Sequence, residues 1–320
     1  MSALAALQPL LVAVSAAALR AQVTALSTRT PHRLATSPEG RAAQGALYEQ
    51  LAGLLGPEHR ACHGELPRVG EDRRPCLITL PTHNPRFPAL EYADSLLVWL
   101  PGQARPHERV VLGCHTDSIS PLEDRAQPML APGADDNASG VATLLEVLRV
   151  LLHRRARFAR TIELHFYAAE ESLARAALLG SRGVARRYQE EDINVISMLQ
   201  NDMSLYLPAG SPLQIGFLCS HTDRALSARV GEYAAAALGV EYALVEAQTG
   251  RSDHASWSEQ GVSALCLVEN GGRINPAMHK ATDTVDAPGV SWAQARLYTQ
   301  VNLAYCALQG GLLGEDQQPP

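Results

Sequence analysis

Of the 27 lysines and arginines in this 320-residue chain only Lys280 is a lysine, and nowhere do the arginines gather into a run. Set against 33 acidic residues they leave a formal charge of −6, which argues against nucleic acid as a main partner. The six cysteines (Cys62, Cys76, Cys114, Cys219, Cys266, Cys306) include no C-x-x-C pair, so neither a zinc knuckle nor a dithiol redox motif is indicated. Most read as buried free thiols, and only Cys62 and Cys76 are spaced to bridge in an oxidising compartment. No later stretch is long and apolar enough to span a bilayer. Residues 4–19 are apolar, but no Lys or Arg precedes Arg20 and Pro9 interrupts the run. Without a positive leading segment this stretch reads as a packed amphipathic helix, which favours the cytoplasm over secretion. There is no G-x-S-x-G elbow, no internal repeat and no linker-like tract.

What is present is ordinary globular composition, 46% hydrophobic and 19% charged, enough for a sizeable core. The spacing predicts one domain over 1–320, made of an N-terminal helix (1–28), an α/β core (29–310) and a tail (311–320). A second helix is expected at 40–55. Strands are expected at 76–80, 95–100, 109–114, 160–168, 194–199, 213–218, 241–245 and 264–268. Between and after them, helices fall at 141–152, around 183–188, at 223–238, in a short turn at 252–260 and at 291–308. Strands that alternate with helices favour a three-layer α/β/α fold with a mixed, mostly parallel central sheet.

The loop Pro132-Gly133-Ala134-Asp135-Asp136-Asn137-Ala138-Ser139-Gly140 is the centre of this pattern. Its Pro, Gly and Asn content breaks a strand, its two acids are adjacent, and Ser139 is placed to cap the helix behind it. His115, Asp135, the pair Glu170 and Glu171, Asp202 and His279 each lie at or just beyond the carboxyl end of an expected strand, or in a loop adjoining one. Open α/β sheets bind ligands at that edge. Singly, each residue has a plainer reading: a satisfied histidine, a solvated acid pair, a turn aspartate. Together they deliver imidazole nitrogen and carboxylate oxygen from five segments, a donor set that suits zinc or a similar divalent ion in a hydrolytic site. Asp117, two residues after His115, is placed to hold that imidazole.

Six ordered stretches resemble the bacterial leucyl aminopeptidase type of two-zinc exopeptidases: Gly113-Cys114-His115-Thr116-Asp117-Ser118, the Asp135 loop, Tyr167-Ala168-Ala169-Glu170-Glu171, Leu199-Gln200-Asn201-Asp202-Met203, Ser252-Asp253-His254-Ala255-Ser256-Trp257, and His279 with Thr282-Asp283-Thr284. The resemblance implies a zinc-exopeptidase architecture and a metallo-aminopeptidase that acts as a monomer on peptides with a free N-terminus, with two zinc ions per chain. It implies that Asp135 bridges the ions, that His115 and Asp202 complete one and Glu171 and His279 the other. Glu170 would be the general base, Asp117 would orient His115, and the peptide bond after the bridging aspartate, Asp135–Asp136, would be cis. Where the family prototype has a disulfide-linked segment with a tyrosine that assists the reaction, this chain has Ala247-Gln248-Thr249-Gly250-Arg251, with Thr249 in the tyrosine's place. Val268 and the Gly271–Gly272 region stand where the prototype's pocket is aromatic, and extra residues follow Glu171.

Rival expectations are a single-zinc glutaminyl cyclase-like acyltransferase, another co-catalytic exopeptidase of carboxypeptidase or dipeptidase type, and a non-catalytic module on the same fold. Ser252-Asp253-His254 contains triad residue types, but three contiguous residues cannot converge as a triad. They read as a helix start that supports the site.

Overall fold

The computed structural model describes residues 3–68, 70, 73–120, 129–171, 177–246, 250–269 and 273–314. Among the described residues nine strands form one sheet: β1 (Arg60–His63), β2 (Cys76–Leu80), β3 (Ser95–Leu100), β4 (Arg105–His115), β5 (Arg160–Tyr167), β6 (Val195–Asn201), β7 (Ile215–Leu218), β8 (Tyr242–Val245) and β9 (Ala264–Leu267). Their spatial order is β1-β2-β3-β5-β4-β6-β9-β7-β8. Neighbours are antiparallel at β2/β3, β3/β5 and β7/β9 and parallel elsewhere. The mixed, mostly parallel sheet expected from the alternation is present.

Strand periodicity sends alternate residues to two cores. Leu96, Val98, Val110, Leu112 and Cys114 face one; Leu97, Trp99 and Val111 face the other. The first core is closed by α1 (Ala3–Val12), α2 (Ala16–Thr28), α3 (Pro38–Leu55), α4 (Gly140–His153), α6 (Arg224–Leu238) and α8 (Trp292–Gly310), the second by α5 (Leu179–Glu190) and α7 (His254–Ser258). Helix α4 buries nearly its whole circumference, and its apolar run Val141, Leu144, Leu145 and Leu148 lies within that core.

The expected single N-terminal helix is two helices bent by 56°. The break is at Ser15 rather than Pro9, because Ser15 turns extended and accepts from the Ala18 N–H, capping α2. Among the described residues no single helix is long and apolar enough to cross a membrane. Among the described residues no disulfide is formed, and Cys62 and Cys76 are both buried thiols.

The second core carries a buried polar chain. Arg109 Nη1 donates to Glu163 Oε1 at 2.7 Å, while Glu163 Oε2 accepts from Tyr188 Oη at 2.8 Å and lies 3.0 Å from His165 Nε2. Beyond it, His165 Nδ1 meets Tyr167 Oη, which accepts from Trp257 Nε1. The cost of burying Glu163 is outweighed by Arg109 and its other partners, which hold its carboxyl down at about 2. Tyr167 thus ties the carboxyl end of β5, where the acid pair emerges, to α7.

Candidate metal centre

The carboxyl ends of β4, β5 and β6 lie side by side and release His115, Glu170 with Glu171, and Asp202 at one edge of the sheet. Two loops close over that edge, one carrying Asp135 and Asp136 and the other His279. Left-handed backbone brackets the site: Ala169 (φ 56°) precedes the glutamates, Met203 (φ 61°) follows Asp202, and His279 itself has φ 58°. Such conformations in residues other than glycine persist only where the surroundings over-determine them.

Donor atoms from these segments converge in two groups. His115 Nε2 lies 3.2 Å from Asp136 Oδ1 and 3.3 Å from Asp202 Oδ1. His279 Nε2 lies 3.1 Å from Asp136 Oδ2 and 3.0 Å from Glu171 Oε1. Ligand atoms about 2.0–2.1 Å from a tetrahedral ion are about 3.3 Å apart, so these spacings suit zinc. Glu171 Oε1 is buried and makes no hydrogen bond although His279 Nε2 is 3.0 Å away. A buried carboxylate oxygen left without a hydrogen bond is an acceptor that a bound cation would satisfy. A third group, His115, Glu170 and Glu171, also offers atoms within 4.8 Å of one another. The donor set fits divalent zinc.

The structure corrects one assignment. Asp136, not Asp135, faces both imidazoles, one oxygen to each. Asp135 turns beneath the site, where its Oδ1 accepts from the Leu205 N–H at 2.8 Å and its Oδ2 from Asn275 Nδ2 at 2.9 Å. With both oxygens engaged in the protein interior, Asp135 has none to offer at the sheet edge. The cis peptide shifts by the same one residue and is Asp136–Asn137. Ser139 does not cap α4. Its hydroxyl donates to the Asp135 carbonyl, and Asn137 Oδ1 receives the Gly140 N–H instead.

Two aspartates act as forks beneath the acid pairs. Asp117 accepts from the Glu170 N–H with one oxygen and from the Glu171 N–H with the other, each at 3.1 Å. Asp283 grips the Asp135 and Asp136 N–H groups in the same way, each at 3.0 Å. Asp117 is also 3.6 Å from His115 Nδ1, beyond hydrogen-bond distance; its direct bonds are to the two amides. Asp283 stands out in the sequence only as part of a Thr-Asp-Thr stretch. Asn137 stands out only as part of the Asp135 loop, while Asn275 and Glu269, which accepts from the Tyr206 and Asn275 N–H groups, carry no sequence signal at all.

Electrostatically the site is acid-rich and desolvated. Burial raises Glu170 well above the carboxylate range and pushes Glu171 up to about 7. Burial opposes ionisation of Asp136 too, but its contacts with His115 and His279 win and hold it well below its ordinary value. Those contacts raise the imidazoles in turn: His279 rises to about 10 through Asp136 and Glu171, and His115 rises against its burial through Asp202, Asp117 and Asp136.

Ser252-Asp253-His254 is no triad. Gln200 Nε2 donates to Ser252 Oγ and Asp253 Oδ2, while His254 Nε2 lies 3.1 Å from the Ser220 carbonyl. Arg251 is drawn away to Glu259, at 2.5 Å. Thr249, Gly271–Gly272 and most of the extra segment after Glu171 lie outside the described residues. A cleft of about 760 Å³ opens at the opposite edge, at the amino ends of the strands near Arg60, His107 and Arg109, away from these groups.

Residues 95–306 match the model of peptidase family M28. The chain is 37% identical over 184 residues to leucine aminopeptidase 1 of Ajellomyces capsulatus, an alignment that covers 55% of this chain and 46% of that protein. It thus spans about half the length of the curated relatives it matches. Its fold superposes on LapA aminopeptidase of Legionella pneumophila with a TM-score of 0.79 at 22% identity, covering 96% of this chain and 74% of the other. It also superposes on glutaminyl cyclase of Bacteroides thetaiotaomicron, with a TM-score of 0.67 at 17% identity over 91% and 97% of the two chains.

Proposed function

The chain belongs to peptidase family M28, and we propose that it is a zinc-dependent aminopeptidase that removes the N-terminal residue of peptides with two ions per chain. The observation that carries this reading is Asp136, whose two oxygens face two different imidazoles at 3.2 and 3.1 Å. His115, Asp136 and Asp202 would hold one ion, and Asp136, Glu171 and His279 the other. Zinc so placed polarises a scissile carbonyl and acidifies water.

The chain's own groups do the rest. Glu170 is the carboxylate left over from both Asp136-centred groups. It is buried, and it sits within 4.8 Å of donor atoms of His115 and Glu171. It takes the proton from the attacking water and returns it to the departing amine. Adjacent residues leaving a strand point in different directions, which lets Glu171 ligate while Glu170 moves protons. Asp117 fixes both through their amides, and Asp283 does the same for Asp136. Burial of the carboxylates keeps bulk water from screening these charges.

A single-zinc cyclase would leave one group of ligands idle, and the shared Asp136 favours two ions. Chelation should abolish hydrolysis of free-amino-terminal peptides and zinc should restore it. Glu170→Gln should keep two ions per chain while the rate falls by about 10²–10⁴-fold. Hydrolysis indifferent to chelators would refute the reading, and cyclisation of an N-terminal glutamine peptide by a one-zinc protein would replace it with the cyclase.

A further inference from the structure

Arg33 stands in the segment between α2 and α3, before the region that matches the family model. Its side chain runs inward until the residue is only 3% exposed. Nε donates to the Thr116 carbonyl at 3.0 Å, Nη1 to those of Pro132 (2.5 Å) and Leu26 (3.3 Å), and Nη2 to that of Gly133 at 2.8 Å. Its backbone N–H donates to Ser118 Oγ at 3.0 Å, and that hydroxyl passes on to the Ala131 carbonyl at 2.8 Å.

The geometry points to Arg33 as a positioning residue of the metal centre, a planar fork that locks the His115–Asp117 strand end to the loop carrying Asp136. Thr116 lies between His115 and the Asp117 fork, and Gly133 lies three residues before Asp136, so one guanidinium fixes the spacing of the two segments that supply one ion. The inference rests on the two-zinc reading above. The loop is pressed against the guanidinium. Gly133 has φ +54°, and a Cβ there would come within 2.8 Å of Arg33 Nη2 and 2.3 Å of the Asp136 carbonyl oxygen.

A buried guanidinium bonded only to carbonyls needs compensation from elsewhere. Among the described residues no carboxylate hydrogen-bonds it, and burial pulls its pKa down to about 10, opposed by Asp283, Asp136, Asp117 and Glu171. Those are the forks and ligands of the centre. The cation is therefore held by the field of the acid cluster while its hydrogen bonds hold the cluster's frame. A lysine keeps the charge but offers a single nitrogen, which cannot reach carbonyls on both segments in the planar arrangement.

Arg33→Lys and Arg33→Met should each weaken zinc at least tenfold, read by competition with a chromophoric chelator. With saturating zinc, kcat should fall at least tenfold and KM should stay within threefold. Arg149→Met is the control for mere destabilisation: Arg149 holds the Ala13 carbonyl and Glu146 near the helix break, and its loss should leave zinc affinity within twofold. Zinc affinity within twofold of the parent in the folded Arg33 variants, with only a lower Tm, would overturn the proposal, as would an equal loss in Arg149→Met. If neither Arg33 variant folds, Ser118→Ala decides, because it removes the hydroxyl under the Arg33 N–H and leaves the charge: a threefold or greater loss of zinc affinity supports the fork, and an unchanged affinity refutes it. Parent protein that binds zinc yet cleaves no peptide would refute the aminopeptidase reading, while the zinc titrations would still judge Arg33.

Discussion

Asp136→Asn and Asp135→Asn are chemically the same change one residue apart, and the structure assigns them opposite consequences. Asp136 offers Oδ1 to the His115 side and Oδ2 to the His279 side. An asparagine keeps one acceptor oxygen and replaces the other by an NH₂ that cannot ligate, so one ion loses a ligand and both lose an anion. Loss of a partner that merely supports a ligand costs about 10–100-fold in metal affinity; a shared ligand should cost more, and the variant should hold one zinc or fewer. If hydrolysis needs both ions, the rate should fall about 10³-fold, roughly 4 kcal/mol of barrier. Asp135→Asn instead sets one amide NH₂ against a donor, either the Leu205 N–H or Asn275 Nδ2. That mismatch of buried donors costs about 1–3 kcal/mol of stability and leaves both zinc ions in place. Metal content by elemental analysis, beside thermal unfolding of each variant, reads both outcomes. Two ions retained in Asp136→Asn and lost in Asp135→Asn would refute the geometry argued here.

Other expectations follow from the same contacts. Glu163→Ala leaves the buried Arg109 guanidinium without its 2.7 Å partner and should cost about 3–5 kcal/mol in denaturant unfolding; a loss under 1 kcal/mol would show the pair to be dispensable. In the metal-free protein His279 has its pKa raised to about 10. A raised pKa contributes stability that is fully present below the unfolded value near 6.5 and is lost as pH rises through 10. Glu171 and Asp135, raised to about 7, act in the same direction between their unfolded values and 7. The metal-free Tm should therefore fall from pH 6.5 to pH 9, while the increment added by zinc, which must displace the histidine protons, grows over the same range. A metal-free Tm that rises across that window would contradict these shifts.

Much of the fold was legible because its strands are short apolar runs bounded by turn residues. The strands at Cys76–Leu80 and Ser95–Leu100 have the limits their sequence predicts. Strand β1, Arg-Ala-Cys-His, was not, since at the sheet edge it buries only Cys62 and shows no apolar alternation. At the site, His115, Glu170, Glu171 and Asp202 could be gathered from strand ends, and His279 from a loop adjoining one. The choice between Asp135 and Asp136 could not. It depends on how the kinked turn at Ala134–Ser139 rotates, and that is fixed by Leu205, Asn275 and Asp283, which lie 70 to 148 residues away. Arg33 is invisible for the same reason: its partners are backbone carbonyls, most of them more than 80 residues distant, and a carbonyl has no letter in the sequence.

The most direct test of the central claim is the initial rate of N-terminal residue release by the zinc-loaded protein from one peptide in two forms, with the terminus free and with it acetylated. The aminopeptidase reading predicts cleavage of the free form, one residue at a time from the amino end, and none of the acetylated form. Equal rates on both forms, or release from the carboxyl end, would contradict it.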